Sequence, residues 1–207
     1  MTSHAEDLAN GIEQLGLNVT PEIQQKMLNY LALMQKWNKV YNLTAISQPK
    51  QMVSNHLLDS LAVLPYLWPG RWLDVGCGAG LPGIVLALMR PQWMFTLLDS
   101  NSKKISFVRQ AIIELGLKNV EVCCARAEQW HAQEKFDGII CRAFAETSEF
   151  IATTRHLLAE GGRWAVMKGV LETGLDHLPQ HIIIERIIPL QVPKLDAARG
   201  LVILKAK

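Results

Sequence analysis

Residues 73–83 form a glycine-rich segment that reads Leu73-Asp74-Val75-Gly76-Cys77-Gly78-Ala79-Gly80-Leu81-Pro82-Gly83. An apolar run ends in a carboxylate, and four glycines follow within eight residues. This order is typical of a buried strand that turns sharply into a helix, because glycine accepts the backbone angles of a tight turn and leaves the backbone open to a ligand. The segment therefore predicts a loop that binds a nucleotide cofactor.

A second acid lies at the end of the next apolar run, where Asp99 follows Trp93 to Leu98. Nucleotide-binding α/β folds place an acid at about this distance, and it accepts hydrogen bonds from the ribose hydroxyls. Such charge-assisted bonds contribute roughly 1.5 to 3 kcal/mol each. The alternative is that Asp99 caps the next helix, but Ser100-Asn101-Ser102 can do so without it. Asp99 is therefore predicted to bind the ribose.

Length and composition limit the class of protein. The 207 residues are 49% hydrophobic and 19% charged, enough for one sizeable core and a small appendage. The apolar runs are far shorter than the roughly 20 residues of a membrane span. The first residues, with His4, Glu6 and Asp7, do not resemble a secretory signal. A cytoplasmic protein is predicted, and a formal net charge of +2 permits an RNA substrate without arguing for one.

The chain contains four cysteines, at positions 77, 123, 124 and 141. None belongs to a Cys-x-x-Cys pair, so the spacing predicts neither a zinc site nor a disulfide framework. We expect reduced cysteines in the core and no metal ion.

Apolar spacing and capping residues divide the chain into a helical part and an alternating part. Helices are predicted over 3–16, 20–37 and 50–66, before any strand. Strands at 72–75, 95–98, 120–124, 138–141 and 164–167 then alternate with helices at 81–89, 103–115 and 147–158, the last stopped by Gly161-Gly162. Late strands at 182–188 and 201–205 close the sheet in antiparallel fashion. These patterns predict an α/β, Rossmann-like, mostly parallel sheet over 69–207 with an N-terminal helical extension over 1–68.

The glycine loop admits more than one chemistry. Gly78-x-Gly80-x-x-Gly83 matches the dinucleotide fingerprint of nicotinamide enzymes, but Gly76 is the first glycine after the strand and no second large domain could hold an oxidisable substrate. The order Asp74-x-Gly76-x-Gly78-x-Gly80 instead resembles the first motif of class I S-adenosylmethionine-dependent methyltransferases. That resemblance implies a loop beneath the methionine part of the cofactor, with Asp74 holding its ammonium group. A simple turn without a ligand is the remaining alternative.

The end of the fourth predicted strand limits the methyl acceptor. Residues 139–144 contain neither an Asn/Asp-Pro-Pro-aromatic sequence, which grips an exocyclic amine, nor a Pro-Cys nucleophile for carbon-5 chemistry. A ring nitrogen such as guanine N7 already carries a lone pair, so its methylation requires positioning rather than a general base.

Several further motifs resemble one family. They are Lys36-Trp37-Asn38-Lys39-Val40-Tyr41-Asn42-Leu43-Thr44, Asn55-His56-Leu57-Leu58-Asp59-Ser60, Leu97-Leu98-Asp99-Ser100, Arg126-Ala127-Glu128, Arg142-Ala143-Phe144, Lys168-Gly169 and Leu190-Gln191-Val192-Pro193. With them the chain resembles the RsmG (GidB) family of bacterial 16S rRNA (guanine(527)-N(7))-methyltransferases. The resemblance implies S-adenosyl-L-methionine as cofactor, with contacts at Gly76, Leu81, Ala127, Glu128 and Arg142. The argument from the residues adds Asp74, Gly78 and Asp99.

The same resemblance implies a partner, either 16S rRNA or the small-subunit particle, and we expect a monomer without an obligate protein partner or a membrane. Candidate catalytic residues are Arg142, Lys168 and His56, although His56 fits a buried polar network better. Asn42 and Asp59 could orient the cofactor or the guanine. Candidate phosphate contacts are Lys36, Lys39, Lys103, Lys104, Arg109, Arg142 and Lys168.

Three aromatic residues, Trp37, Tyr41 and Phe144, could stack on an extruded base, although Trp37 and Tyr41 fit the helical core better. Two alternatives to an rRNA methyltransferase stay open besides the nicotinamide enzyme. One is an RNA-binding module that keeps a relict loop and transfers no methyl group. The other is a methyltransferase that acts on a small molecule.

Overall fold

The computed structural model describes residues 3–46, 48–144, 146–169, 175 and 177–207. Its strands are β1 (Arg71–Val75), β2 (Met94–Asp99), β3 (Val120–Cys124), β4 (Phe136–Arg142), β5 (Leu158–Lys168), β6 (Ile182–Leu190) and β7 (Arg199–Ala206). They form one sheet in the order β3-β2-β1-β4-β5-β7-β6. Strands β1 to β5 pair in parallel, and β7 pairs antiparallel with both β5 and β6. The predicted mostly parallel sheet with an antiparallel C-terminal strand is confirmed.

Seven α-helices flank the sheet in the described residues: α1 (His4–Gln14), α2 (Pro21–Tyr41), α3 (Pro49–Met52), α4 (Asp59–Ala62), α5 (Gly83–Met89), α6 (Ser102–Leu115) and α7 (Thr147–Thr154). Side chains at their first turns act as predicted. Ser3 and Glu6 form a reciprocal capping box, and Thr20 caps α2. Asn101 caps α6 by accepting from the backbone N–H groups of Lys103 and Lys104.

The predicted third helix is not regular. A π-helical segment, Val53–Leu58, separates α3 from α4, and a 3₁₀ turn over Leu64–Tyr66 follows. Apolar spacing did not reveal this, because residues 52–64 are almost continuously buried and show no period that distinguishes one kind of helix from another. Single π-helical turns inside α-helices are frequent at functional sites.

Several predicted boundaries were wrong. The helix predicted over 147–158 ends at Thr154, and the strand predicted at 164–167 begins at Leu158. Helix α5 begins at Gly83 rather than Leu81, since residues 81 and 82 complete the glycine turn. Gly161 and Gly162 do not stop a helix but lie inside β5. Leu158 pairs with Phe136 and Arg163 with Gly138, so β5 has extra residues at this point, and Gly161 takes a φ of +73° within the bulge.

The N-terminal helices share one hydrophobic cluster with one face of the sheet. Leu8, Met27 and Leu57 belong to the same buried cluster as Phe95 on β2 and Phe107 on α6. Helix α2 also reaches the glycine loop, where the buried Tyr30 hydroxyl donates to the Ala79 carbonyl at 2.5 Å. The helical extension therefore supports the loop directly.

The four cysteines are all free. Cys77 and Cys141 are buried as predicted, but Cys124 is exposed on the edge strand β3. None of the described helices combines the length and the apolar character needed to cross a bilayer.

Candidate functional site

The predicted cofactor residues meet at the carboxyl edge of the parallel strands. The chain order reverses between β1 and β4, which are neighbours in the sheet. Ligands of open α/β sheets bind in the crevice at such a reversal. Gly76 follows β1, Ala127 follows β3, and Asp99 and Arg142 end β2 and β4. The sheet therefore gathers residues that are distant in sequence.

The glycine loop leaves open space beside its backbone. Gly76, Gly78 and Gly80 have φ values of +68°, +60° and +91°, a region in which side chains are strained. A Cβ at Gly76 would meet nothing within 4 Å, and one at Gly78 only the Gly76 carbonyl at 3.9 Å. A Cβ at Gly83 would instead collide with Leu97. Gly76 and Gly78 thus leave room for a ligand, whereas Gly83 permits close packing of α5 on the sheet.

Asp74 lies fully buried beneath this loop. Its Oδ2 accepts from the backbone N–H of Gly83 at 2.8 Å, while Oδ1 has no hydrogen-bond partner within the described part of the chain. Burial raises the pKa of Asp74 to about 7, even though the Gly83 N–H and the Arg142 charge act in the opposite direction. A buried oxygen without a partner fits the approach of a cationic donor, such as the ammonium group of S-adenosylmethionine.

Asp99 connects the loop to the end of β2. Its Oδ2 accepts from the Gly78 N–H at 2.9 Å, and its Oδ1 accepts from the Asn101 N–H at 2.8 Å. Asn101 caps α6, so the predicted cap within Ser100-Asn101-Ser102 is confirmed, and the ribose role of Asp99 stays a prediction. Each carboxylate oxygen can accept a second hydrogen bond, so the partly exposed Asp99 can still receive ribose hydroxyls.

The remaining predicted cofactor residues differ in exposure. Ala127 is buried in a 3₁₀ turn over Ala127–Gln129, while Glu128 is exposed and lies 3.9 Å from Arg126. The Leu81 side chain is buried, and its N–H donates to the Cys77 carbonyl. Leu81 thus shapes the turn, and Glu128 offers the polar group.

A cleft of about 430 Å³ opens on the other side of Arg142. The π-helical segment and the ends of β4 and β5 border it, and so does the start of β7. Its lining includes three cations (Arg142, Lys168, Arg199), three polar residues (Asn55, His56, Asp59) and apolar residues (Ile46, Phe144, Met167, Leu190). All three predicted catalytic candidates therefore line one cleft.

Arg142 and Arg199 share one buried carboxylate in this cleft. Asp59, whose side chain is 3% exposed, accepts from Arg142 Nη1 and from Arg199 Nε, both at 3.1 Å. Arg142 Nη1 also donates to the Asn55 carbonyl at 2.8 Å. The sequence reasoning missed Arg199. The last strand was predicted to begin at residue 201, whereas β7 begins at Arg199, which places this side chain beside the end of β5.

His56 is buried beside this network. Its Nε2 lies 3.4 Å from Thr44 Oγ1, and its Nδ1 has no hydrogen-bond partner in the residues that can be described. Burial, assisted by the Arg142 charge, lowers the pKa of His56 to about 4. The imidazole is therefore neutral at neutral pH.

The predicted RNA contacts separate into two groups. Arg142 and Lys168 line the cleft, whereas the others, Lys36, Lys39, Lys103, Lys104 and Arg109, lie on α2 and α6 outside its lining. Trp37 packs on Phe107 at 5.7 Å between ring centroids, as expected for a core residue. Tyr41 is instead 43% exposed at the end of α2, and Asn42 caps that helix away from the cleft lining.

Comparison with known proteins identifies the family. The family model described as "rRNA small subunit methyltransferase G" (GidB) matches residues 23–202. The chain belongs to this family. It is 48% identical over 198 residues to the ribosomal RNA small subunit methyltransferase G of Laribacter hongkongensis, covering 95% of this chain and 96% of the relative. It is 50% identical over 206 residues to that of Chromobacterium violaceum, covering 98% of each chain. The family resemblance is confirmed.

Solved structures confirm the fold class. The chain matches TrmN from Thermus thermophilus with a TM-score of 0.60 at 19% identity, over 75% of this chain and 53% of that one. It matches a SAM-dependent methyltransferase from Thiobacillus denitrificans, in complex with S-adenosyl-L-homocysteine, with a TM-score of 0.54 at 13% identity, over 84% of this chain and 98% of that one.

Among the described residues, no group of three or more His, Cys, Asp or Glu side chains could hold a metal ion.

Proposed function

We propose that this enzyme transfers the methyl group of S-adenosyl-L-methionine to N7 of guanine 527 in 16S rRNA. The family, whose members are named for methylation of small-subunit rRNA, supports the reaction class and the cofactor. The observation that carries the proposal is the position of Arg142. It lines the cleft and ends β4, the strand that pairs with β1, and β1 leads directly into the glycine loop. The cofactor crevice and the acceptor cleft therefore adjoin each other.

The residues of the crevice fit the cofactor. Asp74 would hold the ammonium group, Gly76 and Gly78 would border the methionine part, and Asp99 would bind the ribose. Leu81, Ala127, Glu128 and Arg142 would complete the site. When bound, S-adenosylmethionine supplies an electrophilic methyl group on a sulfonium. The protein holds this donor through the open space beside the loop and the unpaired Oδ1 of Asp74.

The cleft fits a nucleotide that has left its helix. Its volume lies at the lower end of the range for small-molecule sites, about 300 to 1,000 Å³. Phe144 and Met167 provide apolar surface for a base, while Arg142 and Lys168 provide charge for a phosphate. Because guanine N7 already has a free lone pair, the cleft needs to position the base rather than remove a proton.

The form of the partner and its setting belong to the same proposal. The substrate is 16S rRNA, either free or within the small-subunit particle, and the enzyme acts as a monomer in the cytoplasm, where ribosomal subunits are made. Residues 1–68 form the helical extension, and residues 69–207 form the cofactor-binding domain. Family membership counts against the nicotinamide-enzyme alternative.

Labelled methyl transfer to unmodified 16S rRNA and to unmodified small subunits tests the proposal. We expect label at N7 of a single guanine, guanine 527, and loss of that label with the Asp99→Ala variant, which removes the ribose acceptor. Calorimetry should show binding of S-adenosylmethionine and S-adenosylhomocysteine but not of NADH. RNA binding without transfer of label would favour a non-catalytic module. Label on a small molecule alone would show that the substrate is a small molecule rather than RNA.

A further inference from the structure

The paired arginines of the cleft are held by an unusual backbone arrangement. Asp59 is the first residue after the π-helical segment, and its N–H donates to the carbonyls of Ser54 and His56. A regular α-helix would direct it to the carbonyl of Asn55, four residues back. The Asn55 carbonyl instead accepts from Arg142 Nη1 at 2.8 Å. The π turn thus places one carbonyl and one carboxylate around the same guanidinium.

The charges of this network do not balance. One buried carboxylate, Asp59, faces two guanidinium groups, which leaves a net charge of +1 at the wall of the cleft. Arg199 also donates from Nη1 to the Ala198 carbonyl. The Nη2 groups of both arginines have no partner in the part of the chain that the structure describes. The pair therefore retains donors and charge for an anion.

The chemistry of the acceptor indicates which anion this is. A guanidinium that bound the N7 and O6 edge of guanine, as arginine commonly does, would occupy the lone pair that must attack the methyl group. Phosphate oxygens are the other preferred partners of paired arginine donors. A phosphate next to the extruded guanosine therefore fits the pair without blocking the reaction.

We propose that Asp59 is a positioning residue, whose carboxylate holds Arg142 and Arg199 as a preformed pair that binds a backbone phosphate of the substrate RNA and so sets the place of the guanine. This inference rests on the proposed function and deepens it. Each arginine side chain has roughly 2 kcal/mol of rotamer entropy, and Asp59 restricts both before RNA binds. Asp59 touches neither the base nor the cofactor in this scheme, and it acts through the two arginines.

The Asp59→Asn variant separates positioning from charge. It removes the only carboxylate that these two arginines share in the described residues, so the cleft becomes more positive while the arginines lose their common anchor. Simple electrostatic attraction predicts tighter RNA binding and unimpaired transfer. Positioning predicts RNA affinity that is unchanged or up to about 3-fold tighter, together with a fall in kcat of at least about 10-fold.

Asp7→Asn is the matched control, because Asp7 is also a buried carboxylate paired with a cation, Lys194, but it does not line the cleft. We expect Asp7→Asn to keep kcat within about 2-fold of the unaltered enzyme. A double-mutant cycle with Arg199→Gln completes the test. We expect the combined loss in kcat to be at least about 3-fold smaller than the product of the single losses.

The outcomes are distinct. The positioning role is overturned if Asp59→Asn keeps kcat within about 2-fold, if RNA affinity falls in parallel with kcat as a structural defect would cause, or if the cycle is multiplicative. Failure of the unaltered enzyme to methylate 16S rRNA would instead contradict the proposed function itself.

Discussion

At the scale of single residues, Asp74 combines complete burial with a carboxylate oxygen that has no partner among the described groups. Its folded-state pKa of about 7 lies above the ordinary value of 3.8. The Asp74 carboxyl group therefore binds a proton more tightly in the folded protein than in the unfolded chain. The stability that this gives is present at low pH and is lost as the pH rises from about 4 to about 7.

The Asp74→Asn variant should not show this loss of stability with rising pH. We expect it to be more stable than the unaltered protein at pH 8, by on the order of 3 kcal/mol, with a smaller difference at pH 5. The asparagine oxygen can still accept from Gly83. Urea unfolding at both pH values provides the measurement, with Asp137→Asn on the surface as the control. An equal effect of Asp74→Asn at the two pH values would contradict a titrating Asp74.

The effect of His56 on the pH dependence of stability has the opposite sign, because its pKa falls from 6.5 to about 4 on folding. The folded state keeps the imidazole neutral, so its contribution to stability is present above pH 6.5 and is lost as the pH falls towards 4. We expect His56→Gln to lose less stability between pH 7 and pH 5 than the unaltered protein. We also expect methyl transfer at pH 7.5 within about 3-fold of the original rate. Loss of transfer with intact folding and cofactor affinity would make His56 catalytic.

Interactions between neighbouring residues could be predicted from the sequence, whereas those between distant residues could not. The capping of α6 by Asn101 could be predicted from the sequence, because capping is a local interaction within three residues. The Asp59–Arg199 pair spans 140 residues along the chain, so no local pattern reveals it. The burial of Asp74, and with it the raised pKa, also depends on helices that pack from outside the motif.

At the scale of elements, the glycine loop is the segment where a side chain would do most harm. Gly78→Val would place a branched side chain, at a φ of +60°, in the open space beside the loop. We expect the affinity for S-adenosylmethionine to fall by at least about 100-fold, measured by calorimetry. Gly161→Val is the matched control, since Gly161 also has a positive φ, +73°, and free space, but lies in the β5 bulge.

Both valine variants should lose stability through similar backbone strain, roughly 1 to 3 kcal/mol. Only Gly78→Val should lose cofactor affinity. If the Gly161→Val variant lost affinity to the same degree, the effect would come from strain, and the loop would not border the ligand.

Elements were predictable where one pattern has one structural meaning. The strand at 120–124 matched its predicted bounds because Gly116 ends the preceding helix clearly. Paired glycines, in contrast, can end a helix or form a bulge, and Gly161-Gly162 form a bulge. The π-helical segment was invisible for a similar reason, since its distinguishing feature is a shift in backbone hydrogen bonds rather than in apolar spacing.

At the scale of the whole molecule, the proposed division at residue 68 does not divide the core. Leu57, in the helical extension, belongs to the cluster that contains Phe95 and Phe107 of the sheet domain. We expect the chain to unfold in one transition. Leu57→Ala should lower the free energy of unfolding by about 2 to 5 kcal/mol.

Hydrogen exchange measures whether this loss reaches both parts. Amides of α2 and of β1 should lose protection equally in the Leu57→Ala variant. A matched truncation in the sheet domain, Ile139→Ala, should also lower protection equally in α2 and β1, since Ile139 is also fully buried. Loss of protection confined to residues 1–68 would show two independently folding units.

Arg142 lies between the crevice and the cleft, and this has a consequence for inhibitor chemistry. A bisubstrate compound, with adenosine joined by a short linker to a purine, would have to pass this guanidinium, so a linker that carries an anionic group should gain affinity over a neutral one. Resistance by substitution of Arg142 would release the Asp59 carboxylate from one of its two partners. A variant resistant to such a compound would thus also lose methyl-transfer activity.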